Sequence, residues 1–457
     1  MDKKIDKYLT DQQAYFESQA TRSVRFRKEK LKLLRDMLKD NEDRLNAAIN
    51  ADFKKSEFDT FTNELALLYL DIDEAIAKLR NWSRRKRVNT NVINFPAKSF
   101  IYPDPLGSTL IIGAWNYPFQ LSFAPVIAAM AAGCTMTLKP SEVPSNTSSV
   151  IAELVEDYFD PAYFQVVEGG VEETTALLKL KWDKIFFTGS VPVGKIVYQA
   201  AAENLVPVTL ELGGKSPAII TKDANLDLAV RRIVWGKFLN AGQTCIAPDY
   251  VAVAKEIKED FIQRLINRIA EMNYATDKGN YVQIINDKNV QRLEKLIQED
   301  QVVYGGNVDK EHRHIEPTVM DNVTFEDEIM EDEIFGPILP VITFEHLTPL
   351  LAKIKEKPSP LSCYLFTKKR SVKDQVISEL RFGGGAINDT IMHITNSKLP
   401  FGGVGDSGIG NYHGKAGFDA FTHYKSVLDK ATWLDPDFKY PPYTKKKMKW
   451  VRWLLRI

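Results

Sequence analysis

The sequence predicts an α/β fold: an open parallel sheet, a second α/β region after it, and a small β arm. Three observations predict it. Short apolar runs alternate with helically periodic segments from residue 108 onward. The runs STLIIGA, CTMTLK, YFQVVEG and KIFFTGS are continuous rather than alternating, the pattern of strands covered on both faces. Gly and Pro punctuate the joins: PFQLSFAPVIAAMAAG ends at Gly133, and VPSNTSSVIAELVEDYF is opened by Pro144. With the helices VEETTALLKL and VGKIVYQAAAENL these make four βα units in a row, followed by the strand VPVTLEL. Such sheets bind ligands at the C-terminal ends of their strands.

The flanking segments are read in order. Residues 1–90 mix charged and apolar side chains at helical spacing, as in FRKEKLKLLRDMLKDNEDRLNAAI, and predict helices. In 91–105, NVINFPAKSFIYPDP, two β-rich runs flank Pro96 and Ala97, and Pro103 and Pro105 then stop the chain; an extended arm or hairpin is expected. From 212 to 400 the helix LDLAVRRIVWGKFLNAG, the strand YVAVA, the helix EIKEDFIQRLINRIAEM and the strands VITF and CYLFT make the second α/β region. The β-like FTHYKSVLDKAT lies in a return segment, 401–435, and a tail occupies 436–457.

Composition narrows the function. Lys+Arg and Asp+Glu balance at 60 each, so no net field draws nucleic acid, and none is expected as a partner. The three cysteines, Cys134, Cys245 and Cys363, lack CxxC spacing. They suit neither a disulfide framework nor a thiolate metal site, and they point to a reducing, cytoplasmic setting. MDKKIDKYLTDQQAYF lacks the apolar core of a signal peptide. No apolar run approaches the ~18–20 residues of a membrane span.

Five places can carry chemistry. Cys245 sits among small and polar residues in NAGQTCIAP, the setting of a reactive thiol. Cys134 and Cys363 have apolar neighbours and read as core. A histidine partner for Cys245 would be His393 or His413, giving a cofactor-independent thiol esterase; His312 and His314 in DKEHRHIEP read as a solvated loop, and no metal site is expected. Glu211 is a better partner. It ends an apolar strand just before Leu212, Gly213 and Gly214, and is either a cleft carboxylate raised toward neutrality or a strand-end charge facing water. Asn116, in GAWNYPF after the first strand of the sheet, is an oxyanion donor or a turn residue. FFTGSVPVGKIV places Gly189 and Gly194 at a strand–turn–helix, where glycine lets a phosphate approach backbone N–H groups, although the spacing is not GxGxxG. Lys139 and Glu142 in LKPSE lie past a strand end, where an acid can bind a ribose diol; the alternative is a solvated turn.

Taken together, WNYPF, LKPSE, FFTGS, LELGGKSP, NAGQTC, EIFGP and LPFGGVGDSGIG resemble the signature set of the NAD(P)-dependent aldehyde dehydrogenases, over about residues 20–430. CIAPDY, FGGGAIND and YHGK resemble the short class-3-like branch, which includes fatty aldehyde dehydrogenases. The resemblance implies a Rossmann-like NAD(P)-binding domain over 1–211 with 91–105 as its β arm, a catalytic domain over 212–400, an oligomerisation strand within 401–435, and a homodimer. It makes Cys245 the nucleophile, Glu211 the base, and Asn116 with the Cys245 N–H the oxyanion hole. It assigns Lys139 and Glu142 to the adenosine ribose, Gly189, Ser190 and Gly194 to the pyrophosphate turn, and Val193 to the adenine side. It places Glu333 and Phe335 at the nicotinamide and Phe401 at the substrate end. The implied cofactor is NAD, favoured by the Glu142 carboxylate over 2′-phosphorylated NADP, which some members of the branch also accept. The implied reaction oxidises an aldehyde to the acid; a CoA-acylating variant is the alternative, and an intact Glu211 argues against it.

The C-terminus, KKKMKWVRWLLRI, puts Lys445, Lys449, Arg452 and Arg456 on one helical face with Trp450, Trp453 and Ile457 on the rest. A basic amphipathic helix of this kind suits an anionic membrane surface, and the tail is expected to touch one peripherally or to pack on the dimer. Membrane contact would favour apolar, long-chain aldehydes.

Overall fold

Helical periodicity governs the first part of the computed structural model, which describes residues 2–455. Five helices form there: α1 (Asp2–Glu17), α2 (Val24–Asp40), α3 (Glu42–Phe53), α4 (Glu57–Thr60) and α5 (Ala66–Trp82). A short strand β1 (Lys86–Val88) and the arm strand β2 (Ala97–Pro105) follow.

The apolar runs then form the first sheet. Strands β3 (Ser108–Ile112), β4 (Thr135–Lys139), β5 (Phe164–Val166), β6 (Lys184–Thr188) and β7 (Val208–Glu211) lie parallel in the order β7-β6-β3-β4-β5. The connecting helices are α6 (Pro118–Ala132), α7 (Ser145–Tyr158), α8 (Val171–Leu178) and α9 (Val191–Glu203). Helix α6 is buried along its whole length between the sheet and α2 and α5, and Gly133, at φ 97°, ends it in the left-handed conformation. The four expected βα units are all present. From β3 the chain moves outward to β4 and β5, then returns to the other side for β6 and β7. The loops after β3 and β6 therefore diverge at a topological switch point, where a crevice opens.

The second sheet is built from β8 (Pro217–Ile220), β9 (Tyr250–Ala254), β10 (Val302–Tyr304), β13 (Thr318–Met320), β14 (Ile338–Phe344), β15 (Ser362–Phe366) and β16 (Gly384–Ile387); β11 (Val308–Asp309) and β12 (His314–Ile315) form a separate ribbon. Its order is β10-β13-β14-β9-β8-β15-β16, parallel except for β10. Helices α10 (Leu226–Phe238), α11 (Lys258–Met272), α12 (Asp287–Leu296), α13 (Leu347–Glu356) and α14 (Arg370–Glu379) accompany it. The chain then returns to the first sheet, where β17 (Gly408–Ile409) pairs antiparallel with β7, and passes through α15 (Gly414–Ala420) into β18 (Thr422–Lys430). Strand β18 runs along the full length of β2.

Four expectations need correction. Pro103 does not stop the arm: β2 runs through it and ends at Pro105, because β1 covers only Ser99–Ile101 and leaves one edge open at Pro103, where a missing N–H costs no ladder bond. Residues 92–94 form a 3₁₀ turn rather than a β run. Helix α10 ends at Phe238, not near Gly242, because Asn240, Ala241 and Gly242 adopt φ of 53°, 50° and 72°. His314 is half-buried against the Tyr281 ring, 5.4 Å between centroids, rather than solvated; His312 is exposed beside Asp309.

The tail folds as α16 (Lys445–Leu455), linked to the preceding turn by the Lys447–Asp437 ion pair at 2.8 Å. Trp450 and Trp453 pack edge to face and are 57% and 71% exposed. Arg456 and Ile457, the last residues of the basic amphipathic pattern, lie outside the described residues. Among the described residues no helix is long and apolar enough to cross a membrane.

Candidate active site

A cleft of about 870 Å³ runs along the C-terminal ends of the first sheet and reaches the second. Lys139 and Glu142 after β4, Gly189 and Ser190 after β6, Glu211 at the end of β7, and Asn116 after β3 all line it. So do Cys245, Glu333 and Phe335 from the second region. One cavity thus gathers nearly every residue singled out in the sequence.

Backbone strain and a tight amide network surround Cys245. Left-handed Asn240 and Ala241 carry a conformational cost, and Gly242 turns the chain where a Cβ would overlap the Gly336 carbonyl. The Asn240 amide bridges the carbonyls of Asn116 at 3.0 Å and Gln243 at 3.1 Å. Gln243 is buried; its amide nitrogen donates to the Asn240 and Gln283 carbonyls, and its oxygen accepts from the Ile285 N–H. The Tyr117 and Thr244 hydroxyls meet at 2.7 Å. Cys245 follows and is half-buried. Burial pushes its pKa up, and Glu333 and Glu211 push further; the N–H groups of Cys245 and Ile246 oppose them by donating toward the sulfur.

Asn116 is 3% exposed, and its amide donates to the Gln243 carbonyl at 3.0 Å. A carboxamide has two N–H bonds, so a second remains for an oxyanion. Glu211 is buried with neither carboxylate oxygen hydrogen-bonded among the described residues, and burial raises its pKa well above the ordinary value. Of the two readings of Glu211, the cleft carboxylate is the observed one. Burial, then Asp249, push Glu333 up to about 8, against the opposing pull of the Gly214 N–H, Lys215 and Lys237.

The outer cleft is built differently. Buried Lys139 pairs with the half-exposed Glu142 at 2.9 Å. Burial raises the Glu142 pKa, but the hydrogen bond from Lys139 outweighs it, so the carboxylate is held below its usual range. Ser190 precedes α9 with its hydroxyl uncommitted to a cap, and the first N–H groups of that helix have no partner within it. Val193 and Ile196 on α9 face Val171 and Thr174 on α8 across the cleft, an apolar slot for a flat ring.

Two glycine expectations change. Gly194 does not line the cleft: it is buried inside α9, where a Cβ would sit 2.6 Å from Leu212 Cδ2, so it permits close helix packing. Gly189 lines the cleft, but its N–H is committed to the Glu211 carbonyl at 3.0 Å. The N–H groups free of helical partners near this turn are those at the α9 N-terminus.

A second cavity of about 570 Å³ approaches Cys245 from the other direction. Trp235, Phe238, Tyr274, Ile391, Met392 and Ile394 make it predominantly apolar, and Leu121, Cys245, Phe401 and Tyr412 line both cavities. His393 and His413 stack on the two sides of Phe401, and burial lowers the pKa of each to about 4. The ionisable groups that act on Cys245 are carboxylates, which disfavours the Cys–His reading. Cys134 and Cys363 are buried in the core.

Sequence reasoning missed Asn240 and Gln243, whose signal was the polar NAGQ run inside a helical pattern, and Lys237. Lys237 is fully buried, its ammonium has no hydrogen-bond partner among the described residues, and burial lowers its pKa to about 8 near Asp249, Lys215 and Glu333. A lysine next to Trp235 and Gly236 on an amphipathic helix carries no such signal.

Comparison with known proteins agrees with this geometry. The model of the aldehyde dehydrogenase family matches residues 1–427. The chain is 47% identical to the 4,4'-diaponeurosporen-aldehyde dehydrogenase of Staphylococcus aureus over 98% of both chains. It is 40% identical to aldehyde dehydrogenase family 3 member A2 of Mus musculus, over 96% of this chain and 92% of that one. The solved structure of Staphylococcus aureus AldH in its substrate-bound state superposes with a TM-score of 0.96, at 46% identity and 99% coverage of each chain. An NAD+ complex of an aldehyde dehydrogenase from Bacillus cereus superposes with a TM-score of 0.82, at 26% identity, over 94% of this chain and 89% of that one. The chain belongs to the aldehyde dehydrogenase family.

Proposed function

We propose that the protein oxidises long, apolar aldehydes, fatty or carotenoid-like, to carboxylic acids with NAD. One observation carries this reading: the Cys245 thiol stands where two cavities meet, with Glu211 and Asn116 in the same cleft. The cofactor fits the larger cavity. Val193 and Val171 suit the adenine, Lys139 and Glu142 the ribose, Ser190 and the α9 N-terminus the pyrophosphate, and Glu333 and Phe335 the nicotinamide riboside. The Glu142 carboxylate repels a 2′-phosphate, so NADP binds more weakly. The first sheet with its helices serves the dinucleotide, and the second carries the nucleophile.

The aldehyde enters by the apolar cavity. Cys245 gives its proton to Glu211, which passes it to solvent, and the thiolate adds to the carbonyl carbon, forming a C–S bond while the π electrons move onto oxygen. Asn116 and the Cys245 N–H hold that oxyanion. When bound, the oxidised nicotinamide ring supplies the two-electron acceptor that turns the thiohemiacetal into a thioester. Glu211 then takes a proton from water, the hydroxide adds to the thioester carbon, and the C–S bond breaks to release the acid. Burial makes Glu211 a stronger base than an exposed carboxylate, which suits this step.

Two further readings accompany the first. Strand β18 leaves one nine-residue edge unpaired, with Val427 and Leu428 exposed, and an edge of that length calls for a cover; a second copy supplies it in a homodimer. Helix α16, with lysines and exposed tryptophans, lies peripherally on an anionic membrane. Steady-state NADH absorbance with NAD and dodecanal, with and without CoA, tests the activity. Oxidation is expected without CoA. Cys245→Ala should abolish it while retaining NAD binding, and Glu211→Gln should leave an initial NADH burst with little further turnover. Turnover only with CoA would overturn the reading.

A further inference from the structure

The apolar cavity does not end at its own wall. A third chamber of about 520 Å³ shares Trp235, Met272 and Met392 with it, and adds Leu228, Arg231, Arg232 and Asp389. Helix α10 links the two. Leu228, Arg231, Arg232, Trp235 and Phe238 recur at three- and four-residue spacing, so they form one stripe along one face. Trp235 and Phe238 line the chamber that contains Cys245, and Arg231 and Arg232 line the outer one, with Arg231 about 10 Å of helix from Phe238. The stripe thus changes from apolar to cationic with distance from the nucleophile. Two methionines and a half-buried tryptophan divide the chambers, and flexible thioethers yield readily to a passing chain.

The two arginines are not equivalent. Arg232 donates to the Asn388 carbonyl, and its Nε lies 3.5 Å from Asp389, so this guanidinium is partly committed. Among the described residues Arg231 has no hydrogen-bond or ion-pair partner. With the single carboxylate of the chamber already facing Arg232, the surplus charge is positive, and a planar guanidinium is matched by a planar carboxylate.

We infer that Arg231, assisted by Arg232, binds a carboxylate at the far end of the substrate, so that long-chain ω-oxo acids, which carry an aldehyde at one end and a carboxylate at the other, are substrates. This rests on the aldehyde-oxidising reading above and names a substrate class for the same site. The product is the α,ω-dicarboxylic acid, formed by the same covalent steps at Cys245.

The test compares kcat/KM with NAD for dodecanal and for ω-oxo acids from octanoate to octadecanoate length, in the unaltered chain and in Arg231→Gln. An exposed arginine is replaced, so folding is not at stake. We expect one chain length at which the ω-oxo acid exceeds the alkyl aldehyde of equal length by about tenfold, the size of a partly exposed charge-assisted contact. That preference should fall to parity in Arg231→Gln and weaken as salt is added. Calorimetric binding of dodecanedioate to Cys245→Ala, weakened when Arg231→Gln is added, is a second expected result. No preference at any length, or one that survives Arg231→Gln, would overturn the inference while leaving dodecanal oxidation intact. Failure to oxidise either substrate would overturn the underlying reading as well.

Discussion

The Asn116 amide and the Gln243 carbonyl, 3.0 Å apart, join the loop after the first strand of one sheet to the turn that precedes Cys245. The bond spends one amide hydrogen on position and leaves the second for chemistry. Asn116→Ala should therefore lower kcat by about 10²–10³-fold, the usual cost of one oxyanion donor, with KM changed far less. Steady-state kinetics with dodecanal checks this; an unchanged kcat would remove Asn116 from the oxyanion hole.

Gly242 is the third residue of a left-handed run, and a side chain there meets the Gly336 carbonyl. Gly242→Ala should cost at least the ~1–2 kcal/mol of a left-handed non-glycine residue, with the overlap added. A lower Tm should accompany weaker labelling of Cys245 by iodoacetamide. A melting curve identical to that of the unaltered chain would show that the turn relaxes freely.

The titration of Glu211 sets both activity and stability. Its folded pKa lies above the ordinary 4.5, so the folded chain holds this proton more tightly than the unfolded chain. The resulting stabilisation is complete at acid pH and is lost as the pH climbs from 4.5 through the folded value. Glu211→Gln should melt above the unaltered protein at alkaline pH, and the gap should close as the pH falls toward 4.5. Thioester hydrolysis needs the ionised form, so kcat should rise with pH over the range in which stability declines. A gap independent of pH would mean that Glu211 is paired in solution.

The cofactor preference depends on one carboxylate at the ribose end. Glu142→Gln should raise the NADP:NAD ratio of kcat/KM by about tenfold or more, because Lys139 loses its anionic partner and can turn to a 2′-phosphate. Measured ratios in the two proteins decide the point, and no change would assign the preference elsewhere.

Removal of residues 441–457 takes away the exposed Trp450 and Trp453 with their lysines. Co-sedimentation with phosphatidylserine-containing vesicles should fall, and should fall too when salt is raised over the intact chain. Equal sedimentation of both forms would leave the tail as a packing element.

Much of this was legible before any coordinates. Continuous apolar runs and Gly/Pro punctuation located β3 to β7 and their helices, because a covered parallel strand has no polar face to confuse the pattern. The motif residues Cys245, Glu211, Asn116, Lys139 and Glu142 converge because parallel strands end on the same edge of a sheet. What was not legible depended on neighbours distant in sequence. Gly194 is small for the sake of Leu212, Pro103 is tolerated because β1 stops short, and the stacking of His393 and His413 on Phe401 joins three loop positions. The early end of α10 was hidden because Ala241, after Asn240, takes a left-handed backbone that an alanine seldom adopts.

The two cavities that share Cys245, Leu121, Phe401 and Tyr412 have a kinetic corollary. With the dinucleotide in the larger cavity and the aldehyde in the apolar one, as proposed, each would have its own doorway, and neither must vacate for the other to pass. A spent acid can depart while the reduced coenzyme is still seated, and a fresh coenzyme can dock behind an acyl group still attached to sulfur. Acid product should then compete with aldehyde alone, and coenzyme turnover should proceed independently of how bulky the hydrocarbon chain is.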